Sequence, residues 1–304
     1  MRGQQNKVAV DGILLLSKPA GITSNQALQK VKRLLRARKA GHTGSLDPAA
    51  TGMLPLCFGE ATKVCAYLLD ADKSYRVTAK LGEATNTGDA DGEVVETAAV
   101  PQLDKATWEG LLNGFLGDST QIPPMFSALK KDGKRLYELA RKGEVVDRDP
   151  RPIRIDEISL QEISGTRLVF RVFCSKGTYV RTLVEDIAKA AGTVAHTSRL
   201  HRESVGDFLA EDMLDLAGLE KAAQEGEETL KAHLLPADVA LAKWPECRIS
   251  LQDSAKFSGG QAVAAEPGIC GFVRVYEADG RFLGVGELGE DGQLAPKRIF
   301  LPAG

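Results

Sequence analysis

The chain of 304 residues is 43% hydrophobic, has a formal net charge of −2 and contains five cysteines. That length fits one large domain or two unequal ones, with enough apolar residues for an ordinary core. No apolar run approaches bilayer length, Met1–Lys7 holds no apolar signal core, and the cysteines form no C-x-x-C, so neither a membrane span, a secretory leader, a zinc knuckle nor a disulfide framework is suggested, and a cytoplasmic protein with reduced thiols is expected.

The near-neutral total conceals an asymmetry. Residues 1–39 hold nine Lys or Arg and one acid, a net of +8, whereas residues 207–236 hold eight acids and two lysines, a net of −6. Separated signs predict a surface with a basic face, against the plainer alternative of helix charges balanced by their neighbours.

Along the chain, Ile13-Leu14-Leu15-Leu16 reads as a short buried strand, and Lys18-Pro19-Ala20-Gly21 ends it in a turn. Ser24 is placed to cap a helix over residues 24–39, with apolar residues at 27, 28, 31, 34 and 35 and Lys30, Lys32, Arg33, Arg36, Arg38 and Lys39 among the rest. Gly41–Gly52, GHTGSLDPAATG, is a rigid turn holding a single carboxylate. Tyr75–Leu81 alternates apolar and polar as a half-buried strand does, and the acid-rich stretch 82–92 reads as a loop. A second strand is predicted over 168–174. A helix follows with Val180, Leu183, Val184, Ile187 and Ala188 on one face, stopped at Gly192. The acidic stretch 207–236 reads as helix and linker. From about Trp244, short β-like runs divided by Asp279-Gly280, Gly289 and Asp291-Gly292 predict a small all-β domain.

Four residues are candidates for chemistry, and each has a bland alternative. Asp47 before Pro48 is either a turn cap or a lone carboxylate held for covalent catalysis. His42 is either a polar loop residue or a contact to substrate. Tyr75 is either a core tyrosine or a platform on which a base stacks. Arg181 lies off the apolar stripe of its helix, so it either pairs with Glu185 on the surface or holds a catalytic carboxylate ionised through a two-pronged bond. His196 and His201 have no neighbouring acid or cysteine that would complete a metal set, and no phosphate-binding loop or G-x-G-x-x-G occurs between a strand and a helix.

Taken together, GHTGSLDPAATG, Lys18-Pro19-Ala20-Gly21, Asp72-Lys73-Ser74-Tyr75, the stretch 121–130, Ser175–Arg181 and His196-Thr197-Ser198-Arg199-Leu200 resemble, in order and across nearly the whole chain, the bacterial tRNA pseudouridine-55 synthases of the TruB family. The resemblance implies an α+β fold with a mixed, largely antiparallel sheet and flanking helices over residues 1–245. It also implies a PUA-type RNA-binding domain over 246–304. The implied activity is isomerisation of a uridine in the T-arm of tRNA by base flipping, with no metal and no cofactor. Asp47 would be the covalent partner, Tyr75 would stack on the flipped base and Arg181 would pair with Asp47. His42, Lys18, Tyr179 and Leu200 would contact substrate, and Lys30, Lys32, Arg33 and Arg36 would hold phosphates. A monomer is expected, with a second role as a tRNA-folding chaperone left open.

Two rivals stand beside this reading. One is a non-catalytic RNA-binding or RNA-folding module on the same scaffold, which the presence of Asp47, Tyr75 and Arg181 opposes. The other is a small-molecule hydrolase using Asp47, which leaves the basic helix and β-rich tail without a purpose.

Overall fold

The computed structural model describes residues 7–265 and 270–301; the Met1–Asn6 segment, read above for a leader, lies outside them. Its main sheet is built from β1 (Gly12–Lys18), β2 (Ala40–His42), β3 (Thr51–Phe58), β4 (Lys73–Leu81), β5 (Gly117–Gln121), β6 (Arg151–Ser164), β7 (Arg167–Cys174) and β8 (Ala195–Val205). The strand order is β1-β3-β8-β4-β7-β6-β5, with β2 added beside β3. Only β3 and β8 run parallel, so the sheet is mixed and largely antiparallel, as expected.

One edge of β3 pairs with β1 from Gly52 to Phe58. The other edge is divided. Leu56–Phe58 pair with β2, Thr51 and Gly52 pair with His201 and Arg202 of β8, and the residues between face neither strand. Backbone groups in such a gap still need partners. Thr43 N–H takes the Pro55 carbonyl at 3.1 Å, and the Arg202 side chain takes the Met53 carbonyl at 2.7 Å. Pro55, which has no N–H to offer, is tolerated inside β3 because its edge here has no strand to pair with. The GHTGSLDPAATG turn leaves β2 and returns into β3 across this gap.

The alternation along β4 sends Tyr75, Val77, Ala79 and Leu81 into a core shared with Trp108 and Leu112 of α2 (Lys105–Asn113) and with Leu183, Val184 and Ile187 of α3 (Val180–Ala190). A second core lies between β1, β3 and α1 (Ser24–Leu34), roofed by Leu219 and Ala222 of α4 (Leu216–Glu225). Helix α1 is shorter than its periodicity suggests. It ends at Leu34, and Arg36 turns to a positive φ of 50°. Its N-cap is Thr23 rather than Ser24: the Thr23 hydroxyl accepts from Gln26 N–H, and the Gln26 side chain accepts from Thr23 N–H.

The acidic stretch does not form a pole opposite the basic helix. Helix α4 packs on α1, and Glu227, at the start of α5 (Glu227–Lys231), forms an ion pair with Arg36. The plainer reading of the charge pattern therefore holds for Arg36, whose charge is met by a carboxylate of its own chain.

The tail forms a second sheet of β9 (Glu246–Ile249), β10 (Val263–Ala264), β11 (Gly271–Glu277), β12 (Phe282–Leu288) and β13 (Gln293–Ile299), in the order β9-β11-β12-β13-β10, with α6 (Leu251–Ser258) against it. It has its own core around Phe257, Val273, Val275 and Leu283. It is also joined to the main body. Val285 and Phe300 enter a cluster with Ile13, Met53, Ala61 and Val64, and Lys63 donates to the Ile299 carbonyl at 2.6 Å. No helix among the described residues is long and apolar enough to cross a membrane.

Candidate active site

The turn between β2 and β3 is fastened from several directions. Ser24, freed from capping, is buried and exchanges two hydrogen bonds with Leu46: its hydroxyl donates to the Leu46 carbonyl at 3.0 Å and accepts from Leu46 N–H at 2.8 Å. On the far side of Asp47, the Pro48 carbonyl accepts from Gly21 N–H at 2.9 Å and from the Lys18 ammonium at 3.2 Å. Arg202 donates to the Gly44 carbonyl at 2.9 Å. Asp47 is thus held between fixed backbone on both sides, and fixed geometry is what an attacking group requires.

Arg181 closes the site. Its Nε lies 3.1 Å from Asp47 Oδ2 and its Nη1 3.6 Å from Asp89 Oδ2; Nη1 also donates to the Thr87 carbonyl at 2.8 Å and Nη2 to the Phe126 carbonyl at 2.7 Å. Arg181 does lie off the apolar stripe, as its sequence position suggests. It nevertheless points into the protein rather than to the surface, because the stretch around Thr87 and Asp89, which follows a short strand over Glu83–Thr85, and the segment around Phe126 cover the first turn of α3. Of the two roles open to it, the carboxylate partner is the one realised, through Nε alone and not as a two-pronged pair. Glu185 is not among its ion pairs.

Asp47 keeps 45% of its side chain open to solvent, whereas Arg181 behind it is only 8% exposed. Desolvation by the surrounding wall pushes the Asp47 carboxyl above the ordinary aspartate range. Arg181 and Lys18 pull it back, and Asp89 and Asp91 add to the rise. The pairing with Arg181 therefore offsets desolvation only in part. The result is a carboxylate that is accessible, immobile and less well stabilised than one in water.

Tyr75 is buried on β4, packed with Leu46 and Ala50 of the Asp47 turn; burial raises its hydroxyl pKa, so the ring is neutral. His42 ends β2, with burial and then the Arg202 charge lowering its pKa, and its Nδ1 has no hydrogen-bond partner. Tyr179 sits one residue before α3, its backbone N–H donating to the Gln121 side chain at 2.8 Å and its carbonyl accepting from it at 3.1 Å. Leu200 packs at the border of the same core.

The structure places the expected cations differently with respect to Asp47. Lys18 is 1% exposed and donates to the carbonyls of Pro19, Ile22 and Pro48, so it is placed to hold the turn rather than to reach a ligand; burial pulls its pKa down to about 8. Lys30, Lys32 and Arg33 occupy the second half of α1, whose first residue is the one anchored on the turn. They lie along the helix away from Asp47, with Lys30 and Arg33 exposed.

Other residues of the site escape the sequence reading. Asp89 shares Arg181 with Asp47 and receives the Thr87 hydroxyl at 2.6 Å, but it comes from a stretch legible only as an acidic loop. Buried Arg202, Lys73 and Gln121 stand among ordinary strand residues. A charged or amide side chain at a position whose register points inward is the one signal that would have singled them out. Among the described residues no cluster of His, Cys, Asp or Glu is arranged to hold a metal ion.

The site thus joins one rigid, half-open carboxylate, a buried arginine behind it and a neutral buried tyrosine on a mixed sheet. Comparison with known proteins gives the class, that of the pseudouridine synthases. The model of the "TruB family pseudouridylate synthase (N terminal domain)" matches residues 32–180, the "tRNA pseudouridylate synthase B C-terminal domain" matches 181–242, and "Pseudouridine synthase II TruB, C-terminal" matches 245–300. Curated relatives named tRNA pseudouridine synthase B include one from Pseudomonas putida (strain GB-1), 52% identical over 96% of both chains, and one from Nitrosococcus oceani, 50% identical over 96% of this chain and 95% of that one. A chain in the crystal structure of a Cbf5–Nop10–Gar1 complex superposes with a TM-score of 0.76 at 25% identity, covering 96% of this chain and 85% of its own. The chain belongs to the TruB family of pseudouridine synthases.

Proposed function

We propose that the protein isomerises the uridine at position 55 in the T-arm of tRNA to pseudouridine, with Asp47 as the covalent partner. The observation that carries this reading is the pairing of Asp47 with Arg181 in a turn fixed on both sides. The net reaction moves no atom to or from a second substrate. The bond from the ribose C1′ to N1 of uracil breaks, a bond from C1′ to C5 forms, the C5 proton leaves and N1 gains one. Such a balance needs no redox partner.

Asp47 supplies a transient bond to either the base or the sugar; a single carboxylate serves both routes. The base must leave its stack before either can occur. Tyr75 offers it a flat neutral face, and Arg181 keeps the Asp47 carboxylate ionised when the arriving base displaces water from the open side. Lys30, Lys32 and Arg33 on α1 contact phosphates at a distance from the reacting atoms, where contacts position the RNA without reading it. Residues 246–304 are read as a PUA-type RNA-binding domain following a catalytic domain of residues 1–245. The enzyme works as a monomer, and a separate RNA-folding activity is compatible with the same surface.

The test is incubation of purified protein with an unmodified tRNA transcript, without added cofactor and in excess EDTA, followed by mapping of pseudouridine. Modification at position 55 that Asp47→Asn abolishes supports the reading. Modification at another position, or substantial turnover by that variant, contradicts it.

A further inference from the structure

Arg202 is 1% exposed, among the largest fully buried side chains of the protein. Buried charges are ordinarily paired with an opposite charge. Here none is present: among the described residues no carboxylate forms an ion pair with Arg202. Its Nε donates to the Met53 carbonyl at 2.7 Å and its Nη2 to the Gly44 carbonyl at 2.9 Å, and its guanidinium also interacts with the Tyr75 hydroxyl. Both acceptors belong to the divided edge of β3 and the turn that spans it. The backbone of Arg202 is involved as well, lying beside Gly52 in β3 and Tyr75 in β4. The approach to Gly52 is so close that a Cβ there would meet the Arg202 carbonyl at 2.2 Å.

We propose that Arg202 is a positioning residue for pseudouridine formation, one that sets the height of the Asp47 turn above the sheet by bridging Met53 in β3 to Gly44, three residues before Asp47. A buried cation without a counter-ion is costly, and an apolar side chain of similar volume would suit a core better. What such a side chain cannot do is donate in two directions across a gap between strands. The planar guanidinium spans it with a fixed distance between its two donors, whereas a lysine ammonium offers one point. Arg202 forms no hydrogen bond or ion pair with Asp47 or Arg181, so its hold on Asp47 runs through the backbone of the turn, while its guanidinium also meets the Tyr75 hydroxyl. It leaves the tRNA-binding surface alone, being itself inaccessible. The inference rests on the family reaction and on Asp47 as the reacting carboxylate.

The experiment is single-turnover pseudouridine formation on a tRNA transcript, with tRNA affinity measured separately, for Arg202→Lys and Arg202→Met. Circular dichroism and thermal melting establish that each variant is folded. A turn displaced by about 1 Å lowers rate on the order of 100-fold. Both folded variants are expected to lose rate on that scale with tRNA affinity within about threefold of the parent. Arg202→Lys is expected to recover little, because it keeps the charge and loses the second donor.

A near-parental rate in folded Arg202→Met overturns the proposal. So does full recovery in Arg202→Lys, which would make the charge and not the bridge the active property. A loss of tRNA affinity matching the loss of rate assigns Arg202 to binding and also overturns it. If both variants fail to fold, Arg202 belongs to the core and the positioning role is refuted. A parent protein that forms no pseudouridine on tRNA refutes the family reading first, and is distinguishable because it precedes any variant.

Discussion

Arg181 Nε lies 3.1 Å from Asp47 Oδ2, while the same guanidinium reaches Asp89 at 3.6 Å and the carbonyls of Thr87 and Phe126. One side chain thus joins the candidate catalytic carboxylate to two separate loops. Replacing it by lysine keeps the charge but cannot satisfy four acceptors at once. Arg181→Lys is expected to form pseudouridine roughly 100-fold more slowly with tRNA affinity nearly unchanged. Rapid-quench kinetics beside a filter-binding titration checks this; a parental rate would mean that the pair is dispensable.

Asp47→Asn is expected to be inactive and more heat-stable. The folded-state pKa of Asp47 is raised, mainly by desolvation, so at neutral pH its ionised form counts against the fold. For a raised acid the penalty is absent below the unfolded value of 3.8 and complete above the folded value. The melting temperature of the variant should therefore exceed the parent's at pH 7 by roughly a degree or two, a modest figure because the carboxylate is partly solvated. The difference should close as pH falls towards 4. A variant less stable than the parent at pH 7 would show that Arg181 outweighs burial.

Ser24→Ala removes the partner of both Leu46 backbone groups. Two buried groups lose their only side-chain partner, at a cost of about 1–3 kcal/mol each if no water replaces it. Chemical denaturation should show a summed loss of about 2–6 kcal/mol, and the single-turnover rate should fall more than tRNA affinity. Equal losses would argue that Ser24 serves the fold alone.

Gly52→Ala and Gly177→Ala form a matched pair. Both glycines have positive φ, 97° and 81°, but a Cβ at Gly52 meets the Arg202 backbone at 2.2 Å whereas one at Gly177 meets nothing within 4 Å. Gly177→Ala should cost about 1–2 kcal/mol, the strain of a left-handed residue. Gly52→Ala should cost several times more and yield little folded protein. Denaturation midpoints measure both.

Phe300→Ala should cost about 3–5 kcal/mol, because Phe300 is packed into a cluster holding Ile13, Ala61 and Val64 of the main body. For the same reason, removal of residues 246–304 should lower the melting temperature of what remains. A truncated body as stable as the whole chain would make the tail a fully independent unit.

Most of the strands and helices around this site were legible because their periodicity reports which face is buried. Tyr75 on the apolar face of β4 and the stripe on α3 are both of this kind. The contacts that build the site are of another kind. Ser24 reads as a helix cap, yet Thr23 takes that place and leaves Ser24 for Leu46, a residue 22 positions on. Arg181 reads from its helix alone as either a surface partner of Glu185 or a holder of a carboxylate, because the loops that cover it are distant in sequence. Arg36 reads as a phosphate contact until α5 brings Glu227 to it. In each case local pattern gave the element, and a non-local neighbour decided what the side chain does.

The divided edge of β3 has a consequence for biosynthesis. The Asp47 turn is made early, but Arg202 and Arg181, which brace it, leave the ribosome more than 130 residues later. At the usual pace of translation that is an interval of roughly 7–30 s. Until β8 slots beside Thr51 and Gly52, the turn has no floor and the carboxylate no partner. A nascent chain that has not reached β8 therefore holds every atom of Asp47 but not the side chain and strand that fix its turn.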